Sequence, residues 1–413
     1  MEALARHDPE VARLIQAEEI RLENTVDLIA AESITPPAIL EALGSIFNTK
    51  AAEGYPGNRF HAGCRNADAL EELAVSRGRQ LFSAEHVNVQ PHCGSTANLA
   101  VYFSVLDPGD RILAMKLSHG GHLSHGASPS ITGKYYQFQH YGVDPETDTI
   151  DYDQVADLAD RFRPKMIVAG ASAYSRLIDY ERLAQIAGDV SAYFLVDMAH
   201  IAGLVAAGVI PSPVPHSDFV TFTTYKTLMG GRGGVIISRE KYGQKIDAAV
   251  FPGSQGTPAL NHVAAKAVCF NLAKSPEFKH IQQGILDNAA CFADEFDKKG
   301  YRIVSGKTEN HLVLLDLRSK GLAGNRAESI LESVGIIVNR NVIPRDPQPA
   351  GVTSGIRIGS TAISARGMGR AEAAQIVDLI DAAFQHPDQQ TLLEEITDAV
   401  SELSRQFPIY NPA

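Results

Sequence analysis

Cysteine is scarce in this chain. The four residues, Cys64, Cys93, Cys269 and Cys291, are far apart with no CxxC pair, which excludes a zinc ribbon or a disulfide framework as the organising device. Cys64, Cys269 and Cys291 are expected as small buried residues. Long apolar runs are missing as well. The stretch Ile201 to Ile210 is about half of what a bilayer span needs, and the N-terminal MEALARHDPEVARL is charged and amphipathic, unlike a signal peptide. A cytoplasmic protein with no membrane partner is expected. There is no run of basic residues, and the net charge is -11. Phosphate backbones are bound by basic faces, so a nucleic-acid partner is excluded and small molecules are expected instead. Internal repeats and low-complexity tracts are absent too.

What is there suits a globular enzyme. The 413 residues are 45% hydrophobic and 21% charged, enough for two sizeable cores. Apolar positions Val11, Leu14, Ile15 and Ile20 recur at helical spacing in the first 25 residues. Pro36 and Pro37 open a further helix, and an amphipathic helix is expected from Ala69 to Leu81. HVNVQ (86 to 90), RILAM (111 to 115) and the run from Lys165 to Ser175 read as strands. Asn48 to Cys64 is glycine-rich and aperiodic, hence a loop. From about His280 the pattern changes to short strands, 310 to 317, 335 to 341 and 354 to 359, separated by helical segments, as in a smaller α+β domain.

The chemistry concentrates between Tyr193 and Gly234. One apolar strand ends in Asp197, a turn carries His200, and a second strand, Phe219 to Thr223, runs into Lys226 before a glycine-rich turn. Ligands of open α/β sheets sit outside the carboxyl ends of the strands, so acid and lysine face one crevice. A lysine there can bond to a carbonyl cofactor, and an aspartate can keep a pyridine nitrogen protonated; together they describe a pyridoxal phosphate site. The alternative is a surface lysine beside a helix-capping aspartate. Upstream, PHCGSTANL is a turn of small residues opening a helix near Ser95, either an anion cup for the cofactor phosphate or an ordinary N-cap. His119, His122 and His125 are three apart, but glycines interrupt them and no carboxylate or cysteine completes a ligand set nearby, so no metal is expected. Arg357, alone in the apolar run SGIRIG, suits either an ion pair or bidentate capture of a substrate carboxylate.

With AEGYPG (52 to 57), Arg59, Gly63-Cys64, the Thr223 to Thr227 core around Lys226, FPGSQGTP (251 to 258) and SGIRIGS, the chain resembles the serine hydroxymethyltransferases, fold type I pyridoxal phosphate enzymes, from about Asp27 to Gly369. The resemblance implies an α/β fold with a mostly parallel seven-stranded sheet sandwiched by helices and a smaller C-terminal α+β domain. It divides the chain into a helical arm (1 to 25), a large cofactor-binding domain (26 to 279) and a small domain (280 to 413). The segment 235 to 239 becomes the antiparallel strand of the sheet. It also implies a homodimer with shared active sites, the arm embracing the partner and the loops of Glu53 and Gly256 completing the neighbour's site. By the same resemblance the cofactor is covalent on Lys226 and bound by Asp197, His200 and Thr223. His122 stacks on its ring, Ser172 lies near O3′, and Cys93, Gly94 and Ser95 cup its phosphate. Gly256 and Thr257 reach the partner's phosphate, Arg357 holds the substrate carboxylate with Arg232 beside the site, and Glu53 acts on the substrate hydroxyl or on folate.

Several letters depart from the family. Ala31 stands for a serine, Ala51 for a tyrosine, Phe60 and His61 for a tyrosine pair, Tyr225 for a histidine, Thr257 for a glycine, and Cys93 often for a serine. Each of the changes at 31, 51, 60, 61 and 225 removes or moves a hydrogen-bond donor, and one such loss costs about 2.7 to 4 kcal/mol at a transition state. The expectation is therefore a divergent member that does without tetrahydrofolate. It would act on a β-substituted L-amino acid by β-elimination, by decarboxylating deamination of a cysteine S-conjugate in natural-product (antibiotic) biosynthesis, or by aldol-type cleavage. Lys226, Glu53, Tyr225 and His61 would be its catalytic groups, and Ala31, Ala51, Phe60 and His61 would reshape the substrate pocket. The alternatives are a serine or α-methylserine hydroxymethyltransferase using tetrahydrofolate, and a non-catalytic scaffold of the same fold.

Overall fold

In the computed structural model, which describes residues 2–410, seven strands form the main sheet. They are β1 (His86–Asn88), β2 (Arg111–Met115), β3 (Gln137–Tyr141), β4 (Met166–Ala169), β5 (Tyr193–Asp197), β6 (Phe219–Thr223) and β7 (Gly234–Ser238). Their spatial order is β1-β7-β6-β5-β4-β2-β3. β7 runs antiparallel to both of its neighbours, and the remaining pairs are parallel. The expected strands are all found, with 165 to 175 shortened to β4. β3 is an addition: QFQHY lies at the sheet edge, is only partly buried and carries no continuous apolar run.

β4 to β7 are buried throughout except for the partly buried Tyr193 at the start of β5, which is why they read as near-continuous apolar runs: helices cover both faces of the sheet. Period-2 alternation divides the side chains between two cores. Phe194, Val196, Val220 and Phe222 join a large cluster that includes Phe270. Leu195, Phe219, Val168 and Ile236 face the other way and pack on Ala97, Val101 and Tyr102 of the helix Gly94–Val105.

A third large core lies toward the C-terminus. A four-stranded antiparallel sheet, Arg302–Ile303, Leu312–Asp316, Gly355–Gly359 and Asn339–Asn341 in that spatial order, is covered by Gly324–Ser333, Arg370–Gln385 and Gln390–Gln406. Arg357 sits mid-strand, paired with Leu314 and Asn339. Two features tie the ends of the chain together. Val26–Asp27 adds a parallel pair to Ile336–Ile337, and Pro276–Lys298 places Ile285 in the large core and Phe292 in the C-terminal one.

The first 25 residues form two helices, Glu2–His7 and Pro9–Asn24, parted where Asp8 accepts from the Val11 amide and Pro9 begins the new turn. Leu14 and Ile20 are 56% and 57% exposed, so the apolar positions seen in the sequence face outward. The helices expected at Pro37 and at 69 to 81 are Pro37–Leu43 and Arg65–Phe82. Cys64, Cys269 and Cys291 are buried and Cys93 is exposed. No helix among the described residues is long and apolar enough to cross a membrane.

Candidate active site

The crevice opens at the carboxyl ends of β5 and β6. Asp197 is the last residue of β5, and strand alternation turns its side chain to the face covered by Gly94–Val105. There Asn98 Nδ2 donates to Oδ2 at 2.8 Å, His125 Nε2 donates to the same oxygen at 3.1 Å, and the Ala199 amide donates to Oδ1 at 3.0 Å. Burial pushes this carboxyl up, but the His125 and Asn98 hydrogen bonds outweigh it and hold Asp197 well below the usual carboxylate range. Asn98 is itself fixed by Thr221 Oγ1 at 2.5 Å and by Ser124 Oγ at 2.9 Å. A buried acid that stays ionised suits the protonated nitrogen of a pyridine ring.

Lys226 follows β6 in a turn pinned at several points. Thr227 Oγ1 donates to the His200 carbonyl at 2.8 Å and accepts from the Gly203 amide at 3.0 Å. Gly230 N–H reaches the Thr224 carbonyl at 2.7 Å, and Ser33 Oγ donates to the Tyr225 carbonyl at 3.0 Å. The lysine is buried, and its Nζ makes no hydrogen bond or ion pair among the described residues. Burial brings its ammonium down to about 8, with Asp197 pulling up and Arg357 pushing down. A sizeable neutral fraction, hence a nucleophilic amine, is present near neutral pH.

A cavity of about 240 Å³ joins these groups to Cys93, Gly94, Ser95, His122, Ser172, His200, Thr223 and Tyr225. The helix begins at Gly94, where a Cβ would lie 2.8 Å from Thr223 Cγ2; glycine is what lets the helix start approach β6 and point into the cavity. His122, brought down to about 4 by burial, is a neutral ring with Nδ1 2.7 Å from Ser124 Oγ. His200 is held well below its usual value, first by burial, and its Nδ1 is 3.1 Å from His311 Nε2. Arg357 Nη1 donates to the Ser172 carbonyl at 2.5 Å and Nε to Asn339 Oδ1 at 3.1 Å. Burial brings the guanidinium down to about 10, and no acid pairs with it among the described residues, so it is free to take a carboxylate. An unpartnered buried lysine, an ionised acid and a helix start facing one cavity fit pyridoxal phosphate. His122, His125 and Asp197 each offer a ligand atom within 4.8 Å of the others, but two of those atoms are committed to the hydrogen bonds above.

The remaining expected residues lie elsewhere. Ala31 and Arg232 line a neighbouring cavity of about 720 Å³ that shares Tyr225 with the first. Arg232 lies 4.7 Å over the Tyr225 ring. Ala51, Phe60 and His61 are exposed on the loop of Glu53, Phe60 76% so with its ring 5.6 Å from Phe251. Glu53 meets the loop of Gly256 and Thr257 through a 3.2 Å bond from Thr257 Oγ1. None of these eight residues lines the Lys226 cavity.

The model of the serine hydroxymethyltransferase family matches residues 4–380. The chain belongs to the serine hydroxymethyltransferase family. It is 50% identical over 408 residues to Serine hydroxymethyltransferase 1 of Pseudomonas fluorescens (strain Pf0-1), a match covering 99% of each chain. This serine hydroxymethyltransferase-family chain is accordingly a pyridoxal phosphate-dependent enzyme of amino-acid metabolism. The full-length match overturns the expectation of a folate-independent lyase of antibiotic biosynthesis, and with it the doubt cast on tetrahydrofolate; it favours the tetrahydrofolate-using alternative. That expectation counted each changed letter as a lost donor. In the structure Ser33, two positions after Ala31, donates to the Tyr225 carbonyl, Arg232 packs on the Tyr225 ring, and Ala51, Phe60 and His61 lie exposed on the loop of Glu53. The sequence reading also missed Asn98, His311 and Asn339 and saw His125 only as a metal candidate. A single polar letter inside the apolar run from Ala97 to Val101 was the available signal for Asn98.

Proposed function

We propose that this enzyme transfers the hydroxymethyl group of serine to tetrahydrofolate, leaving glycine. The full-length identity to a serine hydroxymethyltransferase carries the reading, and the crevice is consistent with it. Bound through Lys226, pyridoxal phosphate supplies an electron sink for the bonds at the amino acid's Cα. Asp197 would hold the proton at the pyridine nitrogen, His122 and Ser172 would hold the ring, and Cys93, Gly94 and Ser95 would hold the phosphate. Arg357 takes the serine carboxylate in a bidentate pair. That contact would orient the amino acid in the crevice.

Glu53 is the group proposed to move the proton at the serine hydroxyl, yet it lies outside the Lys226 cavity of its own chain. The proposal is therefore a cytoplasmic homodimer in which the Glu53 and Gly256 loops of each copy complete the other's site. The outward-facing Leu14 and Ile20 of the arm then cover the partner. Incubation with serine and tetrahydrofolate is the test. Glycine and methylenetetrahydrofolate in equal amounts are expected, and thiol release from an S-substituted cysteine without any folate product overturns the reading.

A further inference from the structure

Glu53 is gripped from several directions. Its own carbonyl accepts from the Phe60 amide at 3.0 Å, and the carbonyls on either side, Ala52 and Gly54, accept from Arg59 Nη1 at 2.9 and 2.8 Å. Arg59 is anchored to Asp68 at 2.8 Å and Glu71 at 2.6 Å on the helix Arg65–Phe82. Gln90 Nε2 adds a second bond to the Gly54 carbonyl at 2.9 Å. Three consecutive carbonyls are thus tied, and the backbone of Glu53 has little freedom left.

The side chain has a single grip. Thr257 Oγ1 donates to Glu53 Oε1 at 3.2 Å across 204 positions of sequence, and the other carboxylate oxygen makes no hydrogen bond among the described residues. The next residue offers no substitute, since even a Cβ on Gly256 would only touch Oε1 at 3.6 Å. Thr257 is itself held: its carbonyl is 3.2 Å from His92 Nε2. Gln255 alongside accepts from the His92 amide at 3.3 Å and donates to the Gln90 carbonyl at 2.8 Å. The hydroxyl therefore reaches Glu53 from a fixed base. A hydrogen bond to an ionised carboxylate is about twice as strong as one between neutral groups, and it sets direction as well as distance.

We propose that Thr257 is a positioning residue that ties one oxygen of Glu53 so that the other is presented for proton exchange with the substrate. This rests on the transferase reading, in which Glu53 is the acid–base group. A glycine at 257 has no hydroxyl, so the device belongs to this chain's own departure from its family. Without it the carboxylate rotates freely about its last side-chain torsions, and the correct orientation must be found at each turnover.

The test compares Thr257→Val, which keeps the shape and loses the donor, with Thr257→Ser, which keeps the donor. Losing one bond to an ionised group predicts a fall in kcat of about tenfold for Thr257→Val, with KM for serine within about twofold and activity restored by Thr257→Ser. Crystal structures of the three holoenzymes add a readout that needs no turnover. The Glu53 carboxylate is expected in one place in the parent and in Thr257→Ser, and displaced or spread over rotamers in Thr257→Val. An undisplaced carboxylate or an unchanged kcat in Thr257→Val overturns the proposal. So does a loss of pyridoxal phosphate affinity with kcat unchanged at saturating cofactor, which would make Thr257 a phosphate contact. A parent that transfers nothing from serine to tetrahydrofolate overturns the transferase reading instead, and the carboxylate position still judges the grip.

Discussion

The Lys226 crevice and the Glu53 loop pair are built by opposite means. In the crevice, Asp197, Lys226 and His200 are buried, and their positions follow from the ends of two adjacent parallel strands. Polar groups there are bonded to one another or shifted away from charge, as a low-dielectric site requires. On the loop pair, Phe60, His61 and Ala51 are exposed, while Arg59 beneath them is buried between Asp68 and Glu71. The crevice is organised from within a single chain. The loop pair has a rigid base and an open upper surface, the form that the proposed homodimer requires of it.

Removing the anchor of the crevice should have the largest effect. Lys226→Ala is expected to abolish covalent cofactor capture and to lower hydroxymethyl transfer about 10⁴-fold or more, as for a nucleophile acting within a unit; the cofactor's absorbance and a folate-coupled assay read the two effects. Asp197→Asn keeps the shape and removes the charge, so a loss of about 10² to 10³ in kcat is expected in the same assay, the size of one preorganised electrostatic contact. In Arg357→Lys the planar fork is gone, and KM for serine should rise about 10- to 100-fold with a smaller change in kcat. An unchanged KM would remove Arg357 from the carboxylate site.

Two measurements address the difference between the regions directly. Mixing Lys226→Ala with Glu53→Gln subunits should recover about a quarter of parent activity, because half of the randomly paired dimers are mixed and each has one intact shared site. No recovery would place Glu53 and Lys226 in sites of one chain. The smallest effect is on rate alone. Because burial brings Lys226 down to about 8, its neutral amine grows as pH rises through that value. Capture of pyridoxal phosphate by the apo-protein should accelerate between about pH 7 and 9 and then level. Stopped-flow absorbance checks it, and a rate still climbing toward an ordinary lysine value near 10.4 would show that the amine is not desolvated.

Much of the fold was legible because buried parallel strands leave continuous apolar runs. β2 and β6 were found to the residue, and so was the delivery of Asp197 and Lys226 to one crevice. β3 was not, since an edge strand needs apolar residues on fewer positions. The reaction was misjudged for a related reason. Changed letters at 31, 51, 60, 61 and 225 were added together as lost donors, and the contacts that Ser33 and Arg232 make with Tyr225 were not visible until the chain was folded.

The sequence alone determined the layered α/β plan, the lysine and acid at neighbouring strand ends, and the small-residue helix start facing them. These follow from local periodicity and from the direction in which strands deliver their last residues. Tertiary structure decided the rest. Asn98 and His125 reach Asp197 from 99 and 72 positions away, His311 reaches His200 from 111, and Thr257 reaches Glu53 from 204. A hydrogen bond is settled by tenths of an ångström between atoms that packing brings together, and no pattern along the chain encodes that distance.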